Sequence, residues 1–593
     1  MSANGPAAPD SLRRCQLGSL GGEVLADWHA LVWGPSGLRL DQWLSEGQAR
    51  LIKHGPRRAV YRVDAPQQKF FVKHYRCSRW WHAIGNLFRA SPSRREFSRA
   101  REALRRQVPT AQPVAWFESR RRGLVRDSFL VTRAIDGACS LEEYVQTVLP
   151  RLDPAAGARC RRQLAASLAR LCAAAHRQGI DHDDLHAGNL LVQVKATAEA
   201  TDADGRPVPD LYLIDLPGVR LSRSLSRRRT IASLTMLGSA CAAIATPSDM
   251  WRFWKTYLAE RPELQPDSRA VARRVAEAIP AWRRRVAHGR DKRSLRSNRD
   301  FHGSGLRLPL QLQLQLQKSY GMAVHDVSRE QLDELVANPR LPLEVNVHRP
   351  YKLSHRSVVV RAELPLSDRR VQVAYKRVRP RNWWKSLLHY FRRNPALEAW
   401  YYGHALLLRG IATARPLAVI ERPRFGLPSE GYLATQWIEG AKNLHVYAWE
   451  LVGRAAPERR RRARQVAEAL GGLLGRMHSW HVSHRDLKGC NILVVEREHN
   501  VECFLIDADS VRIPWRLSPF FRSFNLGRLA TSLEAHRWVT RSDRLRFWRS
   551  YLAELHRRDA SAWPTDWKQG WRAVTKASRR IIARLRRSGH DIF

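Results

Sequence analysis

The chain has 593 residues, 44% of them hydrophobic, with 102 Lys+Arg against 55 Asp+Glu and a formal net charge of +47. That length exceeds what one hydrophobic core supports, so two or more domains are expected, and the apolar share with 21 tryptophans excludes a disordered chain. The charge suits an anionic partner such as a nucleotide, a phospholipid headgroup, an anionic glycan or nucleic acid; an Arg-rich solvated surface accounts for it equally well. The eight cysteines are scattered without a C-x-x-C pair. That spacing gives neither a zinc site nor a disulfide framework and fits a reducing compartment. The opening stretch lacks a basic start followed by an apolar core. The best membrane candidate, "LTMLGSACAAIA" (234–245), is far shorter than the ~20 residues a spanning helix needs. A soluble or peripheral protein is expected.

In chain order, "AVYRVD" (59–64) and "KFFVKHY" (69–75) are short apolar runs alternating with turns, which predicts a small antiparallel sheet. A helix follows in "RWWHAIGNLFRASPSRREF" (79–97), and a long helical pattern occupies "RRQLAASLARLCAAAHRQG" (161–179). The polar stretch "KATAEATDADGRPVPD" (195–210) reads as a loop. "GRDKRSLRSNRDFHGSG" has linker composition, and "LPLQLQLQLQ" (308–317) alternates with period two, as a strand or a low-complexity spacer would.

The pattern then begins again. "NWWKSLLHYFRRNPALEAW" (382–400) lies over 79–97, and "RFWRSYLAE" (546–554) over "RFWKTYLAE" (252–260). The period is domain-sized, so the reading is a tandem duplication rather than a solenoid. The expected fold is α+β: two tandem bilobal domains, each with a small β-rich N-lobe and a larger α-helical C-lobe. The expected bounds are 1–300, a linker at 301–325, and 326–593.

Each copy carries one polar knot against an apolar strand: "DHDDLHAGNLLVQ" (181–193) and "SHRDLKGCNILVV" (483–495). In each, an aspartate precedes an asparagine by five residues, Asp184 and Asn189 or Asp486 and Asn491. Each is followed by a Leu-Ile-Asp strand end, with Asp215 and Asp507. Upstream, Lys73 and Lys376 lie inside apolar strands, where a lysine needs a partner; Glu96 and Glu398 on the next predicted helix are the candidates. The intervals match: Lys to Glu 23 and 22 residues, Glu to Asp 88 in both. This order of parts is that of phosphoryl transfer in protein kinases, so the two tandem bilobal domains are expected to be protein-kinase-like. Asp184 and Asp486 are the candidate catalytic residues. Lys73, Glu96, Lys376, Glu398 and Lys488 are the nucleotide-binding set. Asn189, Asp215, Asn491 and Asp507 would hold Mg²⁺ beside ATP, since that cation takes few carboxylates plus phosphate oxygens. His182 and His484 read as packing imidazoles, the Trp pairs as lobe core, and "RRIIARLRR" (579–587) as a solvated helix face, with membrane contact the alternative.

Neither copy has a G-x-G-x-x-G loop or an A-P-E sequence, and the segments after Asp215 and Asp507 run quickly into helical patterns. Little platform remains for a polypeptide substrate, so a small or glycan acceptor is favoured. On "LYLIDLPGVRL" (211–221), "FLIDADSVRI" (504–513) and the "WW…FR…P…E" approach, the chain resembles lipopolysaccharide kinases of the Kdo/heptose type. The resemblance implies ATP- and Mg²⁺-dependent phosphorylation of an inner-core sugar on a lipid-linked glycan. It further implies a cytoplasmic enzyme at the inner face of the cell membrane, and the basic surface would suit anionic lipid.

The chain departs from that family in carrying two kinase units. It also has Asp183 where many kinases have Arg, and His186 two residues past Asp184. "HRDLKGCN" reads like a serine/threonine protein kinase, the first alternative; the second is one catalytic and one regulatory nucleotide-binding half. No recognition motif supports nucleic acid.

Overall fold

A computed structural model describes residues 11–55, 58–76, 90–194, 208–242, 244–304, 319–345, 350–353, 357–366, 369–379, 394–424, 427–560 and 562–588. The tryptophan pairs at 80–81 and 383–384, the alternating 308–317 segment and most of the 195–210 loop lie outside them. The chain divides into two compact units, Met1–Trp282 and Arg283–Phe593.

The first unit opens with a seven-stranded, wholly antiparallel sheet. Its spatial order is Leu12–Leu17, Leu20–Leu25, Pro113–Arg121, Leu124–Arg133, Lys69–Arg76, Arg58–Asp64, Ala49–His54. Alternation buries Phe70 and Val72 while Lys73 lies on the opposite face from Val72, which is why an apolar strand can present a lysine to a cleft. The helix Pro92–Arg105 packs on this sheet. Ser91 caps it by accepting from the Arg94 backbone, and Pro92 occupies the first turn, where its missing N–H costs nothing. Its buried face runs Glu96, Phe97, Ala100, Ala103, a helical spacing that seats one carboxylate among apolar neighbours.

The remainder of this unit is mainly helical. Pro154–Arg177 packs against Pro247–Glu260, and buried His176 Nδ1 lies 2.8 Å from the Tyr257 hydroxyl. A three-stranded sheet of Cys139–Ser140, Leu190–Gln193 and Asp210–Leu213 rests on that core and brings the polar knot to its edge.

The second unit has a seven-stranded antiparallel sheet in the order Phe301–Ser304, Tyr320–Val324, Pro416–Arg424, Leu427–Gln436, Arg370–Val378, Ser357–Pro365, Pro350–Leu353. Its first two strands fall within the stretch read from composition as a linker, and they pair with each other in the sheet. Helix Pro395–Leu408 is capped by Asn394 and carries Glu398. Farther on, Ala456–Ser479 and Arg541–Arg558 pack closely: a Cβ on Gly471 would meet the Phe547 carbonyl at 2.5 Å, and one on Gly475 the Tyr551 carbonyl at 2.5 Å. Glycine is required at both, because packed backbones cannot yield that much. His478 and Tyr551 repeat the buried imidazole–phenol bond, also at 2.8 Å. A three-stranded sheet, Lys442–Asn443, Ile492–Glu496 and Val501–Leu505, carries the second knot.

Candidate active site

In the first unit the lysine, the helix carboxylate and the strand-end aspartate converge. Lys73 Nζ lies 2.6 Å from Glu96 Oε1 and 3.8 Å from Asp215 Oδ1. Tyr75, two residues along the strand and so on the same face, donates its hydroxyl to Glu96 Oε2 at 2.6 Å. Burial and the neighbouring Glu96 push that phenol well above its ordinary range. Arg58 Nη1 donates to both oxygens of Asp215, at 2.8 and 3.0 Å. Burial would raise the Asp215 carboxyl, but Lys73 and Arg58 more than reverse this and hold it below the usual range.

The knot is tied to Asp215 through the backbone. Asn189 Nδ2 donates to the Asp184 carbonyl at 2.9 Å, and the Asn189 carbonyl accepts from Ile214 N at 3.0 Å. His182, 3% exposed, bonds through Nε2 to the Ile214 carbonyl at 3.0 Å and accepts the Asp184 N–H on Nδ1. These bonds hold both the N–H and the carbonyl of Ile214, the residue before Asp215. Asp215 itself adopts a left-handed backbone with φ +62°, a conformation rare outside glycine and found at functional turns. Beyond it, a Cβ on Gly218 would fall 2.0 Å from Asp183 Oδ1, so glycine lets the turn close over Asp183. The Asp184 side chain is 70% exposed, with His186 Nε2 3.6 Å away. A catalytic base at this position would be open to an incoming hydroxyl.

The second unit repeats the backbone frame. Asn491 Nδ2 donates to the Asp486 carbonyl at 2.8 Å, Ile506 N to the Asn491 carbonyl at 3.0 Å, and His484 Nε2 meets the Ile506 carbonyl at 3.0 Å. Asp507 is left-handed with φ +65°. The charges are arranged differently. Lys376 Nζ sits 2.6 Å from Asp507 Oδ1 and 3.8 Å from Asp509 Oδ2. Glu398, the expected partner of Lys376, instead lies 3.0 Å from Arg512 Nη2. Two acids at the strand end, Asp507 and Asp509, compete for the lysine, and Arg512 takes the helix carboxylate. The first unit has Arg220 at the position of Arg512, so the extra acid is what distinguishes the two. Asp486 is held by Lys488, at 3.0 Å, and by Arg528. Burial would raise the Asp486 carboxyl, and Lys488, Arg528 and Asn491 together bring it below the usual range.

Sequence spacing had not singled out Arg58, Tyr75, Asp509, Arg512 or Arg528. Arg58 opens the strand Arg58–Asp64, and Asp509 and Arg512 stand in the quoted "FLIDADSVRI". Arg528 lies on the helix Pro519–Ser532, too far along the chain for any spacing to point to it.

Two clefts that gather an amine, an amide and acidic groups at strand ends are suited to holding a phosphate chain and a hard cation. The proteins this chain resembles are phosphotransferases, kinases by name. The profile described as "Lipopolysaccharide kinase (Kdo/WaaP) family" matches residues 41–257 and 367–551, more than half of the sequence, and the chain belongs to that family. A 3-deoxy-D-manno-octulosonic acid kinase of Pasteurella multocida is 31% identical over 156 residues, 25% of this chain and 60% of that protein. The chain thus spans less than two thirds of that relative's length. The lipopolysaccharide core heptose(I) kinase WaaP of Pseudomonas aeruginosa is 26% identical over 249 residues, covering 41% of this chain and 90% of its own. A solved structure titled "WaaP in complex with acyl carrier protein" is similar at 22% identity and a TM-score of 0.31, over 44% of this chain and 96% of that one.

Proposed function

We propose that the protein is an ATP-dependent kinase that transfers the γ-phosphate to a hydroxyl of a membrane-associated glycan such as a lipopolysaccharide inner-core sugar. The observation that carries this reading is Lys73 standing between Glu96 and Asp215. A kinase uses that amine, oriented by the glutamate, to grip the α/β-phosphates. Asp184 is the proposed base that orients the acceptor hydroxyl and takes its proton, and its exposure supports that role.

The donor set fits Mg²⁺. Asp215 and Asn189 offer oxygen ligands only, and the half-buried Asp215 carboxylate is balanced by Lys73 and Arg58, as a site that expects positive charge should be. Among the described residues no cluster of three His, Cys, Asp or Glu side chains forms a closed metal cage; phosphate oxygens would complete the shell. Asn189 and Asp215 would hold the ion in the first unit, and Asn491 and Asp507 in the second. When bound, it neutralises charge on the transferring phosphoryl group.

We further propose that the two units are bilobal kinase-like domains descended from one by duplication, a reading supported by their identical strand order. The unequal lysine contacts favour a second reading within the first: the first unit is the catalytic half at rest, and the second a nucleotide-binding half with a regulatory part. A protein-kinase activity is less well supported, since helices begin at Arg227 and Pro519, 12 residues after Asp215 and Asp507. No helix of the described residues is long and apolar enough to cross a membrane. A peripheral position at the cytoplasmic face is therefore proposed on charge alone.

The test is turnover of ATP with extracted lipopolysaccharide by Asp184→Ala and Asp486→Ala, made separately. Loss in Asp184→Ala of roughly 10²- to 10⁴-fold is expected. Phosphate passing to polypeptide and never to glycolipid would reject the acceptor assignment.

A further inference from the structure

The first cleft contains a cation that the kinase parts do not require. Arg58 opens the strand Arg58–Asp64, which pairs with Ala49–His54, the two strands between which a kinase would place its glycine-rich phosphate cover. Its backbone pairs across the ladder with Tyr75, two residues beyond Lys73. From there its guanidinium reaches across the cleft and puts Nη1 on both Asp215 oxygens, at 2.8 and 3.0 Å, closer than Lys73 at 3.8 Å. Its side chain is 29% exposed, so the contact is partly withdrawn from water and harder to displace than a surface pair. In the second unit the same ladder position, opposite Val378 and two residues beyond Lys376, is Ser357. There the strand lysine itself closes on the aspartate, at 2.6 Å.

We propose that Arg58 is a resident counter-ion of the first cleft. It occupies Asp215 while no nucleotide is bound, and moves to the phosphate chain when metal-nucleotide enters, acting as the phosphate cover that the missing glycines would otherwise form. This inference rests on the functional reading above. It follows from what the cleft needs: a partly buried carboxylate flanked by one lysine at 3.8 Å requires a closer cation when empty. A planar guanidinium on a long stem suits both carboxylate and phosphate oxygens. A cation already on Asp215 must leave before a metal can bind, and this lowers the apparent affinity for metal alone. A positive charge released to the phosphates raises affinity for nucleotide. Arg58 would thus make metal entry depend on nucleotide.

The experiment uses the full chain with Asp507→Asn, so that only the first cleft binds metal. Mn²⁺ is the probe, followed by the resonance of the free ion, and a non-hydrolysable ATP analogue is titrated by calorimetry. Arg58→Gln should bind Mn²⁺ without nucleotide at least tenfold more tightly than the parent and bind the analogue at least fivefold more weakly. Arg58→Lys should stay within about threefold of the parent for Mn²⁺. A gain in metal affinity cannot come from misfolding, which would weaken both. If Arg58→Gln leaves either affinity unchanged, or weakens Mn²⁺ binding, the proposal is overturned. Asp215→Asn in the same background separates the two layers: if it abolishes nucleotide-dependent Mn²⁺ binding while Arg58→Gln changes nothing, only the role of Arg58 is lost. If it has no effect, the functional reading falls as well.

Discussion

Glu96 accepts from Lys73 at 2.6 Å, whereas Glu398, on the corresponding helix of the second unit, lies 3.0 Å from Arg512 and leaves Lys376 to Asp507. The difference traces to two positions after the strand-end aspartate. "LIDLPG" has Pro217 where "LIDADS" has Asp509, and Asp509 adds a second acid 3.8 Å from Lys376. Burial raises the Asp509 carboxyl; Lys376 lowers it, nearby Asp507 raises it, and the balance lies at about 6. Since the lysine–glutamate pair must be in place for kinase turnover, the two glutamates should respond differently to loss of charge. Glu96→Gln, read in an Asp507→Asn background, should lower turnover roughly 10- to 100-fold, the scale of a lost charge-assisted bond. Glu398→Gln in an Asp215→Asn background should change nucleotide affinity by less than about threefold. A loss of nucleotide affinity of about tenfold or more in Glu398→Gln would show that the second unit rearranges to the same ion pair when nucleotide binds.

A second prediction concerns stability. Arg409 and Asp291 form a bidentate pair at 2.7 and 2.8 Å with side chains 1% and 0% exposed. Removing one partner strands a charge in the core, which costs about 3–5 kcal/mol, while replacing both by apolar groups is often neutral. Asp291→Ala should therefore lower the denaturant midpoint of the second unit sharply. The double change Asp291→Leu with Arg409→Met should recover most of it. If the single substitution unfolds at the parent's midpoint, the pair has no structural weight.

Acid should unfold the protein in a defined window. Burial and then Arg261 push His176 down to about 3; burial and then Arg522 do the same to His478, also to about 3. Both are neutral when folded and take up a proton near pH 6.5 only when unfolded. The unfolded state therefore binds more protons below pH 6.5. Stability is full above that pH and falls as pH drops toward 3, by about 1.4 kcal/mol per pH unit for each histidine. His176→Gln should be less stable at pH 7, having lost the bond to Tyr257, yet show a shallower decline between pH 6 and 5. Parallel pH profiles for parent and variant in urea unfolding would contradict the buried neutral imidazole.

Part of this site could be read in the sequence because its parts lie in order on regular elements. Lys73 follows from period-two alternation in a buried strand, Glu96 from a capped helix with a four-residue apolar spacing, and Asp215 from the Leu-Ile-Asp strand end. Spacing fixes where a backbone passes; it does not decide which of two acids a lysine selects, and Glu398 shows this. Contacts across the sheet or from a distant helix, such as Arg58 to Asp215 and Arg528 to Asp486, leave no periodic trace. The edge strand Phe301–Ser304 is hidden because a charged, Gly/Ser-rich composition suits an edge strand as well as a linker, and Tyr320–Val324, which pairs on both sides, is too short an apolar run to be told from a spacer.

The last prediction takes up the net charge. Helix Trp567–Arg587 carries Lys568, Arg572, Lys576, Arg579, Arg580, Arg584, Arg586 and Arg587, all exposed, and no acidic residue. Elsewhere many arginines are balanced by carboxylates, but none of these eight is in an ion pair among the described residues. Its other side, with Trp571 and Val574, packs into the core of the second unit, and Gly527 of Pro519–Ser532 lies against Ala577 and Ser578. A helix anchored on one face and uniformly cationic on the other is suited to an anionic surface. The full chain should co-sediment with vesicles containing anionic phospholipid and not with neutral ones, and salt should weaken the association. Replacing Arg579, Arg580, Arg584 and Arg586 by serine should lower vesicle binding by roughly tenfold or more, with turnover on a short soluble acceptor retained because these residues lie outside both clefts. Undiminished vesicle binding by the fourfold variant would move the membrane contact elsewhere. Equal retention on nucleic acid, lost with the same four arginines, would turn the helix from a lipid surface into a polyanion site.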